Sequence, residues 1–79
     1  MWAETKKYKI AGALLTAARQ HAGLTQAQLA SRIKKPQSFV SSLENGQRRL
    51  DVVEFIVLAD ALKVDPKRLF AQIVADLTK

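Results

Sequence analysis

The chain has 79 residues, with 13 Lys or Arg against 7 Asp or Glu, a formal net charge of +6 and no cysteine. A chain this short makes one small domain, residues 1–79, whose core contributes only about 3–5 kcal/mol of net stability. The absence of thiols excludes disulfides and thiolate metal sites, and the opening MWAETKKYK is too polar for a signal peptide. The uncharged, largely apolar stretch Ile10 to Ala18 is about half the length of a membrane span. The expectation is a soluble, cytoplasmic protein.

The charge is uneven. Residues 1–50 carry nine Lys or Arg and two acids, a net of +7, whereas residues 51–79 carry four and five, a net of −1. A basic half suits a polyanion, because cations placed on phosphates release counterions. On charge alone, a solvated basic surface with no partner accounts for the pattern equally well.

No stretch alternates with a period of two, so strands are not expected; apolar residues recur at spacings of three and four. After an N-terminal arm of about residues 1–8, Ile10, Leu14 and Ala18 form a stripe beside Ala11, Leu15 and Ala22. This predicts a first helix over about Lys9–His21, closed by Gly23. Thr25 can then cap a second helix while Gln28 reaches back, with Leu24 set to pack on Leu29. Lys34-Lys35-Pro36 stops that helix near Ile33, because proline disfavours helix in the residue before it, and a short third helix runs from near Pro36 to Asn45-Gly46. Asp51 and Glu54 repeat the capping arrangement, with Leu50 against Phe55. Asp65 caps a last helix that opens on Pro66, with Val64 against Leu69. The fold class expected is all-α, a compact bundle of about five short helices.

That last helix continues past the core as an extension of about residues 71–79. Leu69, Phe70, Ile73, Val74 and Leu77 cover more than one of its faces. Two uses are open: a dimer contact through Ile73, Val74 and Leu77, or packing against Trp2 and Tyr8 of the arm.

The second and third helices meet the requirements of a helix-turn-helix. Leu29, Ala30 and Ile33 supply an inner face with a small residue at the crossing, and Val40 and Leu43 supply the facing one. Gln37, Ser38, Ser41 and Ser42 are then left pointing outward. A face of amides and hydroxyls without acids suits base edges and phosphate oxygens.

Arg19, the run Gly23-Leu24-Thr25-Gln26, Leu29-Ala30, Pro36-Gln37-Ser38 and Leu43-Glu44-Asn45-Gly46 together resemble the Cro and phage-repressor-like (XRE-type) DNA-binding domains. Leu58-Ala59, Ala61-Leu62 and Val64-Asp65-Pro66 continue the resemblance, which spans about Leu14 to Phe70. It implies the lambda-repressor-like fold and a set of roles. Gln26 resembles the glutamine that touches a phosphate and braces a recognition glutamine, and Gln37 resembles that recognition glutamine, bidentate to adenine. Ser38 and Ser42 fall where relatives make further base or phosphate contacts. Asn45 is similar to a phosphate-binding asparagine, with Arg48 and Arg49 following in the backbone-gripping loop. Lys35 and Ser41 complete the DNA-binding set. Arg19 and Glu44 resemble a structural ion pair. The sequence departs from the family at Lys34, where relatives usually carry a glycine in a left-handed turn.

Each role has a plainer alternative: Gln26, Gln37, Ser41 and Ser42 as solvent-facing helix residues, and Arg48 and Arg49 as solvated loop charges. The function expected is sequence-specific binding of double-stranded DNA by a small transcriptional repressor, a homodimer on a two-fold operator. The competing function is a protein-binding adaptor or antitoxin-type module that keeps the fold. Neither reading calls for a cofactor, a metal or a small-molecule ligand. An enzyme is disfavoured because His21 is isolated and no carboxylates pair in a setting that would shift their pKa.

Overall fold

In the computed structural model, which describes residues 5–79, every regular element is helical: α1 (Thr5–His21), α2 (Gln26–Arg32), α3 (Gln37–Glu44), α4 (Val52–Ala61) and α5 (Pro66–Leu77). The three capped starts form as their sequences require. The Thr25 hydroxyl accepts from the Gln28 amide while Gln28 Oε1 accepts from the Thr25 amide, and Asp51 and Glu54 make the same reciprocal pair. The Asp65 carboxylate accepts from the Lys67 amide, with Pro66 in the first turn. The first helix departs from expectation. It begins by Thr5 rather than Lys9, so residues 5–8 belong to α1 and not to an arm. Trp2 lies outside the described residues.

The exits of α1 to α4 share one geometry. Gly23, Lys34, Gly46 and Lys63 sit at φ 75°, 58°, 72° and 58°. In each exit the following amide reaches back five residues: Leu24 to Arg19, Lys35 to Ala30, Gln47 to Ser42 and Val64 to Ala59. This is the Schellman closure, which satisfies carbonyls that a helix end otherwise leaves without a partner. Lys34 therefore takes the left-handed conformation in which relatives usually carry a glycine, and Lys63 takes it too.

The core has two lobes. Leu29 and Ala30 of α2 meet Phe39, Val40 and Leu43 of α3 and Leu58 of α4, with Leu62 closing this lobe. The second lobe joins Leu15 of α1, Ala59 of α4, and Leu69 and Ile73 of α5. Ala18, Leu50 and Val64 touch both lobes, which makes them one continuous interior. Burying a side chain such as Leu29 or Val40 contributes about 1.5–3 kcal/mol.

Where α1 crosses α3 the two backbones meet. A methyl group added to Gly12 would lie against the carbonyl oxygen of Glu44 and 2.6 Å from that of Leu43. Neither atom can swing away, so only glycine fits there.

The last helix answers the question its sequence left open. Ile73 is buried against α1, and Leu77 packs on the same lobe with Ala11 and Leu14. Both side chains seal α5 onto α1. The face of α5 that stays open carries Phe70 and Val74.

Candidate nucleic-acid interface

The left-handed Lys34 turns the chain so that α3 crosses α2, and Pro36, at φ −69° and ψ 156°, sets the entry into α3. Phe39, Val40, Leu43 and Glu44 point inward and are buried. The opposite face of α3 presents Gln37 and Ser38 exposed, followed by the exposed Asn45 that caps the helix end. Ser41 and Ser42, expected to point outward, are half-buried at the edge of this face. The Ser41 hydroxyl accepts from Asn45 Nδ2 at 3.5 Å, which turns the Asn45 amide along α3.

Behind this face lies an ordered chain of polar groups. Arg19 Nε donates to Glu44 Oε2 at 2.6 Å and its Nη2 donates to Oε1 at 3.1 Å, a two-pronged ion pair. The third prong, Nη1, donates to the Leu24 carbonyl at 2.8 Å and so holds the loop that enters α2. Gln26 Nε2 donates to Glu44 Oε1 at 3.0 Å, and Gln37 Nε2 donates to Gln26 Oε1 at 3.4 Å. Burial alone would raise the Glu44 carboxyl pKa. Hydrogen bonds from Arg19, Gln26 and Thr16, together with the Arg19 charge, outweigh it and hold the group below its usual value. Glu44 is a carboxylate at neutral pH.

Charge rims the face. Two cations lie over the Phe39 ring, the Arg48 guanidinium 4.4 Å and the Lys35 ammonium 5.4 Å from its centroid. Arg48 also pairs with Glu54 Oε2 at 3.0 Å, so part of its charge is neutralised within the chain. Arg49 and Lys35 are exposed. Lys9, which the sequence reading did not single out, lines a shallow crevice with Asn45, Gly46 and Gln47 at the far end of α3. No local pattern marked it, because its place beside Gly46 depends on how α1 packs on the end of α3. Phe39 was also missed, since it reads as one more core residue until the flanking cations are seen. Gln26 and Gln37 thus meet through their amides, Lys35 and Arg48 both lie over the Phe39 ring, Ser38 and Asn45 are exposed on α3 and at its end with Ser41 and Ser42 half-buried beside them, and Arg49 is exposed in the loop that follows.

Comparison with known proteins agrees with this geometry. A helix-turn-helix family profile matches residues 15–69, which include α2, α3 and the turn between them. An XRE-family like protein from Pseudomonas syringae pv. tomato is 44% identical with a TM-score of 0.79, covering 89% of this chain and 85% of that one. The chain belongs to the XRE-type helix-turn-helix family. Another family structure, the restriction-modification controller protein C.AhdI from Aeromonas hydrophila, is 34% identical with a TM-score of 0.73, over 81% of this chain and 91% of that one. The controller protein C.Esp1396I, solved as a tetramer in complex with its natural 35 base-pair operator, shares the fold at 20% identity and a TM-score of 0.82, over 96% and 100% of the two chains. No curated protein matched the chain. Membership makes this a DNA-binding regulator fold, and no helix among the described residues is long and apolar enough to cross a membrane.

Proposed function

We propose that the chain binds double-stranded DNA sequence-specifically, as a homodimer on a two-fold operator, and represses transcription by occupying it. The observation that carries this reading is the Gln37 amide, exposed at the head of α3 and held by Gln26. In a helix-turn-helix the start of the second helix enters the major groove, and a glutamine in the plane of an adenine can contact N6 and N7 together. Lys35 beside that end of α3, Asn45 and Lys9 at its far end and Arg49 in the loop that follows supply phosphate contacts, which position a protein on DNA without reading it.

The homodimer is supported by an apolar face on the side of α4 and α5. Val52, Val53, Ile56, Val57, Phe70 and Val74 are each between 42% and 74% exposed. The Phe55 and Phe70 rings meet edge to face at 6.2 Å and join the two helices beneath it. A small monomer does not keep so many large apolar groups in water, and a second copy can cover them symmetrically. The same face would serve the protein-binding alternative, in which the partner is a different chain.

The deciding experiment titrates wild type, Gln37→Ala and scrambled or selected duplexes against one another at several salt concentrations. Gln37→Ala should lose about 1–3 kcal/mol on the selected duplex and little on the scrambled one. An unchanged ratio would remove Gln37 from the reading face. A wild type that binds no duplex even at low salt would leave the protein-binding role.

A further inference from the structure

A carboxylate accepts hydrogen bonds and donates none. Glu44, ionised and almost wholly buried, can therefore meet Gln26 only through the Gln26 NH2 group, as it does at 3.0 Å. The Gln26 oxygen is forced to the other side, where only a donor can face it. Gln37 Nε2 occupies that place at 3.4 Å. One amide proton of Gln37 is thus used inside the protein, and its free edge presents one N–H and one C=O. That edge complements adenine, whose N7 accepts and whose N6 donates. It does not complement guanine, whose N7 and O6 both accept.

We propose that Glu44 is a positioning residue that sets which base Gln37 prefers, by fixing the donor–acceptor direction of the Gln26 and Gln37 amides in turn. The proposal rests on the reading of Gln37 as a base contact. Glu44 itself does not reach the DNA: its side chain is 5% exposed and locked by the two-pronged contact with Arg19. The same arginine holds the Leu24 carbonyl, so the backbone leading to Gln26 is fixed from the same point. Without this direction, the Gln37 amide could turn its NH2 outward and offer both protons to the two guanine acceptors.

Glu44→Gln would break the pair with Arg19 and disturb the fold together with the polarity, so the test is made at Gln26. In Gln26→Lys an ammonium still pairs with Glu44 but can only donate, which draws the Gln37 oxygen inward. Gln26→Met keeps the length and has no direction to impose. Wild type, both variants and Gln37→Ala are put through selection from a randomised duplex library. Each is then titrated on duplexes carrying A·T or G·C at the pair that depends on Gln37, with thermal melts to establish folding. Wild type should prefer adenine by about tenfold or more. Gln26→Lys should bring that ratio to about one or invert it toward guanine, with Gln26→Met between the two. Gln26→Lys with the wild-type ratio overturns the proposal. Should that variant fail to fold, an unchanged ratio in Gln26→Met overturns it alone. A wild type with no preferred base pair, or Gln37→Ala that keeps the adenine preference, removes the base contact itself and the proposal with it.

Discussion

Arg48 and Arg49 are neighbours in sequence and opposites in circumstance. Arg48 lies on the Phe39 ring and is paired with Glu54, while Arg49 extends into solvent. A phosphate contact from Arg49 should therefore appear undiluted: Arg49→Ala is expected to reduce the salt slope of DNA binding by about 0.9. Arg48→Ala should change that slope less, because Glu54 already answers its charge, and should also destabilise the fold by about 0.5–1 kcal/mol through the lost ring contact. Salt titrations and thermal melts of the two variants separate these effects. Equal slopes and equal melting points would contradict them. Glu44 links the stability of the fold to acid pH. Its carboxyl pKa is lowered in the folded chain, so on acidification the unfolded chain takes up that proton first. The contribution is whole at neutral pH and is lost as the pH falls below about 4.5 and through the lowered folded value. The melting-temperature gap between wild type and Glu44→Gln should be wide near pH 7 and narrow near about pH 3. A gap that widened in acid would contradict this assignment. The Arg19–Glu44 pair and the bracing of Gln37 by Gln26 were legible from the family resemblance. The link between them, Gln26 to Glu44, was not, because no local pattern joins positions eighteen residues apart.

At the scale of the elements, the helix boundaries that carry local chemistry were readable and the others were not. The starts at Thr25, Asp51 and Asp65 are set by side chains that bond amides two or three residues away, so sequence alone specifies them. The first turn of α1 contains no acidic residue, and its early beginning left no mark to read. The inward turn of Ile73 and Leu77 was hidden for another reason. Apolar residues surround α5, and only the position of α1 decides which of them are buried. The four like exits offer a controlled comparison, since two carry glycine and two carry lysine at positive φ. Lys34→Gly and Lys63→Gly should each raise stability by a few tenths to about 1 kcal/mol, because glycine meets no Cβ clash in that conformation. The two should part in binding. Lys34→Gly removes a charge beside α3, whereas Lys63 sits near His21, Asp65 and Arg68 at the other end of α1. Denaturant melts and duplex titrations of both variants test this. A loss of stability in either would mean that the lysine side chain does more for its turn than the backbone conformation costs it.

For the whole molecule the main expectation is assembly. Wild type should be a dimer at micromolar concentration, and Val74→Asp or Ile56→Asp, each placing a charge on the exposed apolar face, should be folded monomers. Light scattering with circular dichroism reads both properties, and a wild-type monomer would end the dimer proposal. Such variants should also lose affinity for a two-fold duplex more than for a half-site, since one copy contacts only one half. Within each copy the crossing at Gly12 has a mechanical consequence. Side chains can repack around a strained interface, but two touching backbones have no slack, and at that point α3 cannot swivel against α1. A reading head mounted so stiffly does not mould itself to its target. In the proposed dimer, whatever bending or twisting brings two operator halves into register with two such heads would fall to the duplex, so that its pliability would enter the binding energy even at base pairs that no side chain touches.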